Sequence, residues 1–186
     1  PVVFITNTGF GSALRIGDQA RPSLFSRHVP NRSHIHHDVL EVQGRLDATG
    51  QEVLPLEEEA TKEALKTLKT NTDCTTVAIC LIHSVKNPKH ELMVGQWARE
   101  AGFSHIYLSH QVAPQSGWWA RASTTLLEAY LTPALASYIR TLRKDPSIDN
   151  IPLRLMQSHG GLVDAADIRG AHSLLSGPAG GLFGAI

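Results

Sequence analysis

Val77-Ala78-Ile79-Cys80-Leu81-Ile82 is a run of six apolar residues with no polar residue alternating through it. A strand wet on one face alternates, so this run reads as a mid-sheet strand covered on both faces. A helix signal follows, because Asn87 can cap and Pro88 can occupy the first turn. Met93, Val94, Trp97, Ala98 and Ala101 form its buried stripe, and Gly102 ends it. Residues 105–108 (His-Ile-Tyr-Leu) supply another short strand.

The same grammar extends both ways. Residues 2–6 are a short buried-type strand ending at Asn7-Thr8-Gly9-Phe10-Gly11, and residues 11–37 read as loop. Val39 to Val42 reads as a strand, with Gln51 to Leu54 as its expected hairpin mate across the turn Asp47-Ala48-Thr49-Gly50. Residues 55–70 read as a helix with Ala60, Ala64, Leu65 and Leu68 on one stripe, and Glu57, Glu58 and Glu59 suit its positive end. A long helix is predicted over 122–144, with a kink or break at Pro133. Leu153 to Met156 and Leu174-Leu175 are the last predicted strands, and Leu182 and Phe183 open a final helix. The order β, ββ, α, β, α, β, α, β, β, α specifies an α/β fold, a mixed sheet with flanking helices. The clustered charge, proline and asparagine of residues 145–151 place a boundary there, giving regions 1–150 and 151–186.

The 186 residues are 42% apolar and 18% charged, with 17 basic residues against 17 acidic ones. That balance argues against nucleic-acid and membrane-surface partners, which select a basic excess. No run reaches the roughly 18 apolar residues that cross a bilayer. Cys74 and Cys80 lack close-pair spacing and read as reduced thiols of a cytoplasmic protein.

Two glycine-rich turns carry the chemistry. Ser158-His159-Gly160-Gly161 and Ser176-Gly177-Pro178-Ala179-Gly180-Gly181 each follow an expected apolar strand, where ligands gather in open α/β sheets. Absent side chains let backbone N–H groups approach a phosphate or a flat base, so Ser158, Gly160, Gly161, Ser176, Gly177, Gly180 and Gly181 are candidate nucleotide contacts. The competing reading is conformational: glycine permits positive φ and close helix packing. Neither turn has P-loop or dinucleotide spacing.

Other candidates have ordinary readings beside them. His34, His36 and Asp38 share one face of an extended segment and hold metal-ligand chemistry, but their surroundings read as a solvated loop. His83 reads as a hydrogen-bonding residue that shapes its loop. Arg121 can reach a carboxylate or phosphate, whereas Ser123, Thr124 and Thr125 read as helix-start caps. Trp118-Trp119 is a stacking wall or a loop anchor. No nucleophile elbow, zinc-ligand helix or Cys–His pair is present.

Taken in order, several stretches resemble the hydantoinase A/5-oxoprolinase family. They are Phe4-Ile5-Thr6-Asn7-Thr8-Gly9-Phe10, Ile16-Gly17-Asp18-Gln19-Ala20-Arg21-Pro22, Val39-Leu40-Glu41-Val42 with Arg45 and Gly50, and Leu81-Ile82-His83-Ser84 with Pro88 and His90-Glu91. Leu108-Ser109-His110, Ala129-Tyr130-Leu131-Thr132-Pro133, Met156-Gln157-Ser158-His159-Gly160-Gly161 and Leu175-Ser176-Gly177-Pro178-Ala179-Gly180-Gly181 complete the series. The chain departs from the family at Gln111, Gln115, Trp118, Trp119 and Glu128, a set that clusters around Arg121.

The resemblance implies a partial actin-like (ribonuclease H-like) ATPase fold and ATP-driven opening of a cyclic amide such as 5-oxoproline or a hydantoin. ATP and Mg2+ are the implied cofactors, and a hydantoinase B-type subunit or domain is the implied partner. The family's two Asp-x-Gly-Gly-Thr phosphate loops are expected on either side of these residues, so this segment alone is expected to be inactive. Phosphorylating the amide oxygen turns a poor electrophile into an activated imidate. Arg121 is the expected holder of the substrate carboxylate or phosphorylated oxygen, with Thr124 and Thr125 supplying hydrogen bonds. The alternatives are an ATP-using subunit of a ketone carboxylase and a non-catalytic nucleotide-binding module.

Overall fold

The computed structural model describes residues 1–16, 25, 27, 34–145, 147–148 and 151–185. Gly17 to Pro22, most of the expected loop between 17 and 33, and part of the 145–151 segment lie outside the described residues. The chain folds as two compact units, Pro1–Leu126 and Leu127–Ile186.

The first unit runs β1 (Val2–Asn7), α1 (Ala13–Ile16), β2 (His36–Val42), β3 (Arg45–Leu46), β4 (Glu52–Leu54), α2 (Glu58–Asn71), β5 (Thr76–Ile79), α3 (Lys89–Glu100), β6 (His105–Leu108), α4 (Ser109–Val112) and the start of α5 (Trp118–Leu142). Its sheet has the order β2-β1-β5-β6, and every pairing is parallel. Ile5 lies opposite Leu40 and Ile79, and Ile79 lies opposite Leu108. The carboxyl ends of all four strands therefore share one edge.

β1 and β5 are buried along their whole length because the sheet is covered on both faces. Val3, Ile5, Val77 and Ile79 pack with Leu65 of α2 and Val94, Trp97 and Ala98 of α3. Phe4 alternates to the opposite face, where its ring meets Trp118 edge-on at 6.2 Å. Trp118 is thus an anchor: its ring also lies 5.3 Å from Phe10, and Nε1 donates to the Cys80 carbonyl. α3 starts where Asn87 Oδ1 accepts the Lys89 N–H, and it stops at Gly102, whose φ is +97°.

Three first-unit expectations need correction. Glu52–Leu54 pairs with Arg45–Leu46, not with residues 39–42, and β2, an edge strand, pairs with β1. The Asp47 carboxylate closes that tighter hairpin by accepting from Thr49 N, Thr49 Oγ1 and Gln51 N. β5 ends at Ile79, since the N–H groups of Leu81 and Ile82 turn to Glu91 Oε1 and Asn7 Oδ1. The long helix begins at Trp118 and continues through Pro133 as one element. Ser123, Thr124 and Thr125 therefore lie past its first turn and donate to the carbonyls four residues back instead of capping.

The second unit contains the rest of α5, β7 (Arg154–Met156), β8 (Leu162–Asp164), a 3-10 turn (Gly170–Ser173) and α6 (Ser176–Gly184). Ile139, Ala165 and Ile168 form its core with Leu135, Leu153, Leu155 and Val163. The two units divide inside α5, between Leu126 and Leu127. Leu174-Leu175 is not a strand. Both leucines are exposed, and Ser176 to Gly181 is the opening of α6 itself, not a turn before it. Gly160-Gly161 closes the antiparallel β7–β8 hairpin, with Gln157 N donating to the Gly161 carbonyl.

Candidate active site

The carboxyl edge of the parallel sheet carries a buried polar network in the first unit. β1 lies between β2 and β5, so chain order reverses at β1, and in open α/β sheets ligands gather at the carboxyl ends of the strands at such a point. Asn7, the last residue of β1, spans that edge: Oδ1 accepts from Ile82 N at 2.7 Å and Nδ2 donates to the Gly44 carbonyl at 2.7 Å. The turn after β5 contains His83, the one described non-glycine residue with positive φ, at +59°. Its carbonyl accepts from Lys86 N and Asn87 N, which makes His83 a loop-shaping residue through its backbone.

Glu91, on the first turn of α3, is fully buried at the centre. Its Oε1 accepts from Leu81 N at 2.8 Å and from Ser109 Oγ. Its Oε2 accepts from His110 N at 3.1 Å and lies 2.6 Å from His110 Nδ1. Burial pushes this carboxyl up, but the hydrogen bonds from His110, Ser109 and Leu81 outweigh it and hold the group below the usual carboxylate range. Glu91 is therefore an ionised carboxylate with both oxygens doubly satisfied.

Arg121, 3% exposed, closes the network from α5. Nε donates to Ser109 Oγ at 2.9 Å, one terminal nitrogen to the Leu81 carbonyl at 2.7 Å, and the other to the Gln115 carbonyl at 3.2 Å. Ser109 thus relays between cation and carboxylate. Ser84 Oγ donates to the Leu81 carbonyl and lies 3.3 Å from Ser109 Oγ, joining the turns after β5 and β6. Burial pushes the adjacent Cys80 thiol up to about 12, and both cysteines are free.

Of the two threonines named with Arg121, Thr124 is exposed and donates to the Ala120 carbonyl, while Thr125 is buried and donates to the Arg121 carbonyl. Adjacent on a helix, they point to different sides. The His34 and His36 rings stack at 5.1 Å beside a cavity of about 480 Å³ also lined by Arg15, Asp38 and Glu41. Among the described residues no group of three or more His, Cys, Asp or Glu converges as a metal requires.

The second unit brings its two glycine segments together. Ser158 Oγ donates to the His172 carbonyl at 2.7 Å and accepts from Leu175 N at 3.0 Å, tying the hairpin turn to the start of α6. Gly160 has φ +91°, and a Cβ there would lie 2.0 Å from the Phe183 ring of α6. Its missing side chain is filled by protein. Gly177, Gly181 and Gly184 differ: a Cβ at any of them meets nothing within 4 Å, and their i, i+4, i+7 spacing puts them on one bare helix face. A Gly180 Cβ would only touch Met156 at 3.9 Å, and a Gly161 Cβ would press on the His159 ring at 3.3 Å.

The model of the hydantoinase/oxoprolinase N-terminal region matches residues 1–102, and that of the hydantoinase/oxoprolinase family matches residues 121–186. The chain belongs to the hydantoinase/oxoprolinase family. A 5-oxoprolinase from Dictyostelium discoideum is 34% identical over 209 residues, an alignment that takes in 98% of this chain and 16% of that protein. Among solved structures, the ATP-dependent caprolactamase from Pseudomonas jessenii superposes with a TM-score of 0.80 at 28% identity, covering 96% of this chain and 27% of its own. Nucleotide-free acetone carboxylase superposes with a TM-score of 0.78 at 26% identity, covering 99% of this chain and 28% of its own. The α/β fold with a parallel sheet and flanking helices is thus a hydantoinase/oxoprolinase fold, and the chain spans about a sixth of the curated 5-oxoprolinase it matches.

The polar network went unrecognised as a unit from sequence, although a signal was present. Glu91 lies three and seven residues before Val94 and Ala98, so it sits on the apolar stripe of α3, where a carboxylate must be partnered.

Proposed function

We propose that this chain is the early part of an ATP-dependent hydrolase that opens a cyclic amide such as 5-oxoproline or a hydantoin. The observation that carries this is the match to a 5-oxoprolinase along 98% of the chain, which includes every member of the network at the sheet's carboxyl edge. A five-membered lactam resists water because its nitrogen donates into the carbonyl. ATP, when bound, supplies the activation of the amide oxygen.

The chain's own contribution has two parts. In the first unit, Asn7, Glu91, Ser109 and Arg121 fix the turns after β5 and β6, so the groups bordering the substrate are pre-positioned. Arg121 acts through Ser109 and the two carbonyls it holds, and Thr125 seats the Arg121 backbone. Thr124, the exposed member of the trio, is the hydroxyl available to a ligand. In the second unit the bare face of Gly177, Gly181 and Gly184 fits the close approach of a nucleotide, with Ser176 and Gly180 on the same helix and Ser158, Gly160 and Gly161 setting its position. The magnesium that would accompany ATP finds no ligand cluster among the described residues, and no step is routed through it. A hydantoinase B-type subunit or domain, and a cytoplasmic location, belong to the same reading. No described helix is long and apolar enough to cross a membrane.

The acetone carboxylase likeness favours a second reading, an ATP-using component of a ketone carboxylase. One experiment separates them. The full-length protein is assayed for ATP cleavage with 5-oxoproline, a hydantoin, or acetone plus bicarbonate. Stimulation by a cyclic amide with a ring-opened acid as product supports the first reading, bicarbonate consumption replaces it with the second, and no stimulation removes both in favour of a non-catalytic module.

A further inference from the structure

Glu91 does more than close a network, because the group on its Oε2 is an imidazole at the rim. Two contacts hold His110 to that one oxygen, from its backbone N–H and from Nδ1. An ionised carboxylate accepts hydrogens, so Nδ1 is a ring nitrogen that carries one, and in the neutral ring Nε2 holds the lone pair. The ring is 14% exposed, and among the described residues no protein group pairs with Nε2. Nor does Nε2 fall among the buried atoms left without a partner, so it keeps contact with solvent, on a residue that directly follows β6. His90 shows the contrast. Its Nε2 lies 2.8 Å from Glu52, but the ring is 2% exposed and has no open side for a ligand.

We propose that His110, oriented by Glu91, is the proton-transfer group of this site, a role that rests on the cyclic-amide reading. As a water oxygen bonds to the amide carbonyl carbon, Nε2 takes the proton that water loses. As the carbon–nitrogen bond breaks, its electron pair goes to the ring nitrogen, the imidazolium returns that proton to it, and the acyl phosphate left on carbon is cleaved by a second water to the carboxylic acid and inorganic phosphate. The charge formed on the ring in between is compensated by Glu91, which stays ionised throughout. The titratable and charged groups around the pair are Glu91 from α3, Arg121 from α5 on the far side of Ser109, and Cys80 at the end of β5, whose thiol stays protonated. Arg121 does not touch the imidazole, since its Nε is bonded to Ser109.

The test uses the full-length protein. Rates with the cyclic amide are measured against pH for the wild type, His110→Asn and Glu91→Gln. His110→Asn should lower kcat by about 10²–10⁴-fold with KM for the amide nearly unchanged, and should abolish the ascending limb of the pH profile. Glu91→Gln, which removes the orienting charge, should also lower kcat. Independently of turnover, diethylpyrocarbonate should acylate His110 at Nε2, as read by peptide mass mapping, and 5-oxoproline without ATP should block it. A His110→Asn enzyme that keeps wild-type kcat and the limb, or acylation indifferent to 5-oxoproline, overturns the role of His110 while leaving the cyclic-amide reading intact. A wild type that never responds to a cyclic amide overturns both.

Discussion

Replacing Glu91 with glutamine changes almost no volume but removes the charge on which four donors converge. The side-chain oxygen that remains can still accept from Leu81 N and Ser109 Oγ, but each bond falls from charge-assisted to neutral, a loss of about 1 kcal/mol apiece. The new amide NH2 stands where Oε2 accepted from His110. The imidazole can answer by moving its hydrogen to Nε2, but the backbone N–H of His110 cannot, and a buried unsatisfied donor costs about 1–3 kcal/mol. The sum, about 3–5 kcal/mol, is a large part of the roughly 5–15 kcal/mol that a domain has. Because a long multi-domain chain does not unfold in one step, hydrogen exchange is the better assay. Peptides covering Leu81 and His110 should exchange roughly two to nearly four orders of magnitude faster in the variant, with peptides from the second unit unaffected. Protection within threefold of wild type at both sites would show that the carboxylate does not hold these turns. The effect also has a sign in pH. A carboxyl held below its ordinary value of 4.5 contributes stability that is fully present above that value and lost as pH falls through its lower folded-state value. The gap between wild type and variant should therefore close only on acidification below about 4.5.

Three further outcomes follow from the same geometry. Arg121→Lys keeps the charge but cannot span Ser109, Leu81 and Gln115 at once, so kcat/KM of the full-length enzyme should fall about tenfold or more in steady-state assays. Gly160→Ala places a side chain at φ +91° and against the Phe183 ring. It should destabilise the second unit by about 1–3 kcal/mol, and exchange of the 157–161 turn reports it. Cys80, with its thiol pushed up to about 12, should stay unlabelled by iodoacetamide at neutral pH in the native protein and react on denaturation.

Legibility in the sequence followed the strength of local signals. Uninterrupted apolar runs announced β1 and β5, and the capping and glycine signals around α3 placed it to within a residue or two. Where backbone partners lie far apart in sequence, local reading failed. Nothing in Glu52–Leu54 itself distinguishes Arg45–Leu46 from residues 39–42 as its mate; the short hairpin is closed by the Asp47 carboxylate in the turn between them. Leu174-Leu175 looked like a strand because two exposed leucines resemble two buried ones at that length. Most of the site's polar residues lay within stretches quoted for the family resemblance, but their convergence on one carboxylate required the parallel register that sets the ends of β5 and β6 side by side.

The most direct test of the account is a structure of the full-length protein with 5-oxoproline bound. The ring should lie at the carboxyl edge of the parallel sheet, with its amide within hydrogen-bond reach of His110 Nε2 or the 81–84 turn. A ligand bound elsewhere, with that edge empty, would contradict the assignment of the site.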